Sequence, residues 1–113
     1  MRKPWKALVA GLVLTAAATP ALAFPLAPEW VRTKNNSVTA QFANYSKIPI
    51  SCRVTIYGVL KSTNETKSQT TTLNLGSFGS RYMNDTASLV GENERDTFHD
   101  VHADADCRYI YAP

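Results

Sequence analysis

From about residue 37 onward, apolar and polar residues of this chain alternate with a period of two, and helical spacing is weak throughout. Val38, Ala40 and Phe42 alternate with Thr39, Gln41 and Ala43, which gives a strand one apolar face and one mostly polar face. The next run is sharper. Ile50, Cys52, Val54 and Ile56 fall on one face, Ser51, Arg53, Thr55 and Tyr57 on the other, and Gly58 is expected to close the segment. Residues 70–75 (TTTLNL) are rich in β-branched types, with Thr71, Leu73 and Leu75 in one phase, and propensity makes them a strand. The polar, aperiodic stretch 61–69 reads as an exposed hairpin loop. Residues 81–83 and 87–90 are read as two further short strands, and 92–96 as a charged loop or short helical turn. In the last segment Val101, Ala103, Ala105, Cys107, Tyr109 and Tyr111 share one phase, while His102, Asp104, Asp106, Arg108 and Ile110 share the other.

This pattern predicts an all-β domain, a small antiparallel β-sandwich, with a small β-barrel as the structural alternative. Cys52 and Cys107 are each placed among inward-facing residues of separate strands, which is the pattern of one disulfide inside a core. They are the only two cysteines. The other possibilities for them are a metal pair or two free thiols.

The first 23 residues break the strand pattern and change the setting. Arg2, Lys3 and Lys6 precede the apolar run 7–18 (ALVAGLVLTAAA), and Pro20 and the small-residue pattern Ala21-Leu22-Ala23 follow. Those are the three regions of a cleavable signal peptide, in order. The run is shorter than the ~20 residues a membrane-crossing helix needs, so no membrane span is expected after cleavage. Phe24, not Cys, follows the cut, so the cysteine that would take a lipid is missing. The short alanine-rich hydrophobic region has a bacterial character and points to a periplasmic or secreted product, a compartment in which a disulfide is the default.

Cleavage also changes the charge. Three of the twelve basic residues leave with the signal and none of the nine acidic ones does, so nine of each remain. The basicity of the precursor belongs to the discarded part, no basic stripe with interleaved aromatics remains, and nucleic acid is disfavoured as a partner. The remaining chain divides into an extended Pro-containing arm over 24–36, expected to pack polyproline-like on its own domain, and a single β domain over 37–113. Phe24, Leu26 and Trp30 share one side of that arm. Ninety residues bury a small core, and closing a loop as long as the one between the cysteines is worth roughly 4 kcal/mol, against the ~5–15 kcal/mol of a typical domain.

The two strands that carry the cysteines also carry a resemblance. Residues 51–58, with their Cys-Arg-Val-Thr run, and 98–111, with the C-terminal cysteine strand, resemble immunoglobulin-like or fibronectin-like sandwiches with a core disulfide, and small secreted bacterial proteins of unknown function. The resemblance covers under a third of the chain beyond the signal. It implies the sandwich, and it names no activity. The sequence departs from true immunoglobulin domains in having no Trp between the cysteines and in having Ala105 where a tyrosine corner would place Tyr.

Chemistry is concentrated in residues 98–107 (FHDVHADADC), which hold both histidines of the protein. His99, His102, Asp100 and Asp104 are the candidate ligands of a divalent metal such as zinc, copper or nickel. Same-face residues on an extended strand step about 6.6–6.8 Å apart, too far for several to reach one ion. A bulge, or help from Glu92 or Glu94, is required. The competing reading is a solvated acidic face with Arg53 or Arg81 as its counter-charge. A histidine and Asp100 supply two members of a hydrolytic triad, but Gly-x-Ser-x-Gly, phosphate-loop, dinucleotide-loop and His-Glu-x-x-His patterns are missing, and an enzyme is not expected.

Tyr57, Arg53 and Arg108 are candidates for an interaction surface. Asn35, Asn44, Asn64 and Asn84 begin glycosylation sequons, which are inert in a bacterial host. The function expected is therefore that of an exported, non-catalytic binding module with a protein partner in the cell envelope or medium and no resident cofactor. The alternatives are a metal-binding protein built on the histidine segment and a structural subunit of a surface assembly. The sequence leaves the oligomeric state open.

Overall fold

The computed structural model describes residues 23–110, so the signal peptide reading and the placement of Tyr111 fall outside the described residues, apart from Ala23. Seven strands run in chain order: β1 (Phe24–Leu26), β2 (Trp30–Lys34), β3 (Ser37–Ala43), β4 (Ile50–Leu60), β5 (Thr66–Leu75), β6 (Asn84–Val90) and β7 (Phe98–Tyr109). They form two antiparallel sheets, β1-β7-β4-β5 and β2-β3-β6. The sheets stay separate, which makes the fold sandwich-like, and the barrel alternative is set aside.

The alternating runs place the core as their phases require. Val38, Ala40 and Phe42 from β3 meet Ile50, Cys52, Val54 and Ile56 from β4, and all of these are 0–1% exposed. Leu73 and Leu75 of β5, Ala87 and Leu89 of β6, and Ala103, Ala105 and Cys107 of β7 complete one continuous apolar cluster. Cys52 and Cys107 form the disulfide, and they are directly opposite each other on the neighbouring strands β4 and β7. The bridge therefore staples two strands of one sheet, whereas the immunoglobulin bridge spans two sheets.

Several elements differ from the sequence reading. The 24–36 arm packs on its own domain but is not polyproline-like: it consists of two strands, one in each sheet. β1 pairs with the edge of β7 through Phe24↔Cys107, Pro25↔Asp106 and Leu26↔Ala105, and β2 pairs with β3. An edge strand tolerates Pro25 because its missing N–H is needed by no second neighbour. Phe24 and Leu26 pack on the core. Val31 does the same from β2, so Trp30 and Arg32 face outward, with the Arg32 guanidinium 4.1 Å from the indole centroid.

Strand β4 does not stop at Gly58. It continues to Leu60 and pairs with residues 66–69, so the loop expected over 61–69 is only 61–65. Gly58 is needed for its lack of a side chain, since a Cβ there would lie 2.9 Å from Cδ1 of Phe98. Residues 81–83 form a turn rather than a strand, and the strand expected over 87–90 begins at Asn84, where pairing with Ala43 starts. Finally, Tyr109, read as inward, is 47% exposed because it lies beyond the end of the core, where it packs beside Phe24 with ring centroids 5.1 Å apart.

Candidate functional site

Strand direction sorts the loops into two ends. One end holds the crossing between sheets at 44–49, the crossing at 76–83 and the exit of β7. The other holds the β2–β3 turn at 35–36, the β4–β5 hairpin at 61–65 and the β6–β7 crossing at 91–97.

Five of the six large apolar side chains exposed among the described residues lie at the first end: Tyr45, Phe78, Tyr82, Tyr109 and Ile110. The first three are 58–65% exposed. Their loops are pinned by hydrogen bonds that converge on Asn44, the one buried polar residue among those described. Its Nδ2 donates to the carbonyls of Ile48 and Gly76, each at 2.9 Å, and its Oδ1 accepts the Ser46 N–H at 2.9 Å. Its own N–H donates to the Met83 carbonyl. One amide side chain thus binds the 44–49 loop to the 76–83 loop. Phe78 N–H to Ser46 C=O, Gly76 N–H to Tyr82 C=O and Ile110 N–H to Pro49 C=O, at 2.7–3.0 Å, add main-chain ties across the same end. The Tyr45 and Phe78 rings lie 5.9 Å apart, and Arg81 sits over the Tyr82 ring at 5.4 Å. The Tyr45 hydroxyl donates to Glu29 at 2.7 Å, and this bond to a carboxylate is the main reason its pKa is raised above 10.0. The two loops carry Lys47 and Arg81 and no carboxylate.

The second end is polar. Its loops carry Glu65, Glu92, Glu94 and Asp96 against Lys61 and Arg95. Between β5 and β6 a cleft of about 350 Å³ opens there, with Leu60, Leu89 and Phe98 in its lining and Glu65, Lys67, Glu92 and Asp96 among its polar groups. Lys67 shares the inward phase of β5 with Leu73 and Leu75, so the inner face of that strand becomes polar where the sheets part. Its Nζ lies 3.5 Å from Glu65.

The histidine segment lies on the outer face of the four-stranded sheet. His102 is opposite Tyr57 and His99 is opposite Val59, so three steps on β7 match two on β4. The extra residue is Asp100, which has a φ of 48°. This β-bulge puts His99 and His102 on the same outward face and turns Phe98 into the core. His99 Nδ1 lies 3.2 Å from Asp100 Oδ2, and His102 stacks on Tyr57 at 4.4 Å with 15° between the planes. Asp104 faces Thr55 one step further along, and Arg53 is opposite Asp106. Arg81, the other proposed counter-charge, belongs to the aromatic end. Among the described residues no three His, Cys, Asp or Glu side chains are gathered to hold one ion.

Of the proposed interaction residues, Tyr57 is half-buried under His102, while Arg53 and Arg108 are exposed on the same sheet face. The sequon at Asn44 is closed in the folded chain, since its amide nitrogen is buried and bonded twice. The aromatic end was not singled out from the sequence. The available signal was the placing of Tyr45 and Phe78 among turn-forming Asn, Ser and Gly, where no strand phase accounts for them; Tyr82 was hidden by the reading of 81–83 as a strand. Set beside models of known families, curated proteins and solved structures, the chain matches none of them.

Proposed function

We propose that this protein is an exported, non-catalytic β-sandwich that acts as a binding module, and that its aromatic end contacts a protein partner in the periplasm or outside the cell. The observation that carries the reading is the gathering of Tyr45, Phe78 and Tyr82, 58–65% exposed, on loops pinned to the buried Asn44. Contiguous exposed apolar surface marks interaction sites in soluble proteins. Tyr and Arg are favoured as binding anchors, and rings on pinned loops lose little entropy on binding. The disulfide suggests an oxidising compartment outside the cytoplasm, and the signal-like residues 1–23 support export.

The test is site-specific photo-crosslinking in the native cell, with the probe at Tyr82 or Phe78 and, in parallel, at Glu94 or Asn64 of the opposite end. One defined partner captured from the aromatic end alone, and lost with Tyr45→Ser/Phe78→Ser, is the expected outcome. Equal capture from both ends, or none from either, refutes the assignment.

The opposite character of the ends favours a second reading, a subunit that stacks head to tail with its aromatic, basic end against the acidic cleft of the next copy. A chain that stays monomeric at millimolar concentration in sedimentation experiments excludes it.

A further inference from the structure

We infer that this protein forms a two-fold dimer through the free edge of β5: the β5 strands of two copies pair antiparallel about Thr71 and join two four-stranded sheets into one. The aromatic end has no part in it. Among the described residues four strands lie at sheet edges, β1 and β5 in one sheet and β2 and β6 in the other. An unpaired edge is a template for another strand unless it is short, charged, bulged or interrupted by proline. β1 is three residues long and includes Pro25. β2 is five residues long and carries Arg32 and Lys34, so a second copy would meet it with like charge. β6 carries Asp85, whose carboxylate accepts the Thr86 N–H at 2.8 Å. β5 is ten residues long, contains no proline and follows β4 in an unbroken register.

One bond fixes the direction of its main-chain groups. The Leu60 N–H donates to the Glu65 carbonyl at 2.9 Å, and these two residues are the next pair of the ladder after Val59↔Thr66. In an antiparallel ladder such hydrogen-bonded pairs recur at every second residue. Residues 67, 69, 71, 73 and 75 therefore bond to β4, while Thr66, Ser68, Thr70, Thr72 and Asn74 turn their N–H and C=O groups to the open side. The same five residues are exposed, and none is charged. Lys67, the one ionised residue of the strand, has the inward phase and Glu65 at 3.5 Å. A register centred on Thr71 runs from Ser68 to Asn74 and leaves Lys67 outside. It sets Thr70 opposite Thr72 of the second copy and Ser68 opposite Asn74, each pair exchanging two main-chain bonds. The segment thus presents uncharged hydroxyl or amide side chains in either direction, the self-complementarity that a two-fold interface requires, and this matches it to its own copy. The Thr55 and Thr70 hydroxyls, 3.2 Å apart, already make one such contact across β4 and β5, and the Thr70–Thr72 pair continues that row. The outer edges of the joined sheet are then the two β1 strands with Pro25, so assembly closes at two copies.

The test is sedimentation equilibrium of the untagged, oxidised, exported protein from micromolar to millimolar concentration, where a monomer–dimer equilibrium is expected. Thr70→Lys/Thr72→Lys sets like charges opposite each other and raises the dimer dissociation constant about a hundredfold. Both positions are exposed, so the unfolding midpoint stays at the parent value at concentrations where both proteins are monomeric. Mixing that variant with Thr70→Glu/Thr72→Glu opposes each new lysine to a glutamate and restores a one-to-one heterodimer. Tyr45→Ser/Phe78→Ser dimerises like the parent, which separates this edge from the aromatic end. Thr71→Cys meets its own copy across the axis at about 4.5 Å between Cα atoms, within reach of a disulfide, so oxidation links it into dimers, whereas Ser88→Cys on β6 stays unlinked. A chain that is monomeric at millimolar concentration, a dimer that Thr70→Lys/Thr72→Lys leaves intact or Tyr45→Ser/Phe78→Ser abolishes, or growth beyond two copies overturns the proposal.

Discussion

The two ends of this sandwich are joined by the same strands and differ in almost every other respect. At one, loops that cross between sheets hold Tyr45, Phe78 and Tyr82 in water and are tied together by a fully bonded, buried Asn44. At the other, the loops are polar and mostly acidic, the sheets part into a cleft, and side-chain ties such as Asn36 Nδ2 to the Asn93 carbonyl at 3.2 Å lie in solvent. Buried hydrogen bonds fix geometry because breaking one leaves an unpaired polar group away from water, whereas an exposed one is replaced by solvent. The difference teaches that exposed aromatic area here coincides with the best-pinned loops. That is the arrangement of a preorganised contact surface rather than of loosely packed chain.

Removing the bridge is the strongest way to break the contrast. Cys52→Ala with Cys107→Ala opens a loop of 55 residues and is expected to cost about 2–5 kcal/mol in chemical denaturation. The Cys pair lies one same-face step from Ile50↔Tyr109, near the aromatic end, so amide exchange should rise more in 44–49 and 76–83 than in 91–97.

Asn44→Ala removes the side-chain donor of the Gly76 carbonyl and one of the two donors of the Ile48 carbonyl, which keeps the Ser46 hydroxyl, and should cost about 2–3 kcal/mol, while Asn36→Ala at the polar end should cost less than about 1 kcal/mol. Equal losses from the two would erase the distinction drawn between the ends. Gly58→Ala tests the polar half by overpacking. Its new methyl meets the Phe98 ring, and a loss of about 1–2 kcal/mol is expected, read from the same denaturation curves.

The smallest effect is electrostatic. The bond to Glu29 holds the neutral Tyr45 phenol, and burial and the carboxylate charge act in the same direction, so the folded pKa lies above 10.0. A raised pKa stabilises the fold fully below pH 10 and loses that contribution as pH rises through the folded value. Phenolate absorbance should therefore show one tyrosine titrating late, and Glu29→Gln should bring it back toward 10.

Alternation made β3, β4 and the later part of β7 legible, because each buries one face and exposes the other. β1 was not legible: its three residues include Pro25 and carry no pattern that local propensity would read as a strand. The start of β5 was hidden for the opposite reason. Residues 66–69 are polar on both faces, and only pairing with residues 56–59 makes them a strand. The candidate metal residues were legible as a composition, but their faces were not, because a bulge is fixed by the partner strand's register.

The sequence by itself determined what depends on near neighbours: the strand phases, the inward placing of Cys52 and Cys107, and the collection of both histidines in one segment. Tertiary structure decided which strands became neighbours. It made the two cysteines cross-strand partners in one sheet, turned His99 to the face of His102, and brought the 44–49 and 76–83 loops to one end around Asn44. Those outcomes rest on hydrogen bonds between residues far apart in the chain, and a period of two along a single strand carries no record of its partner.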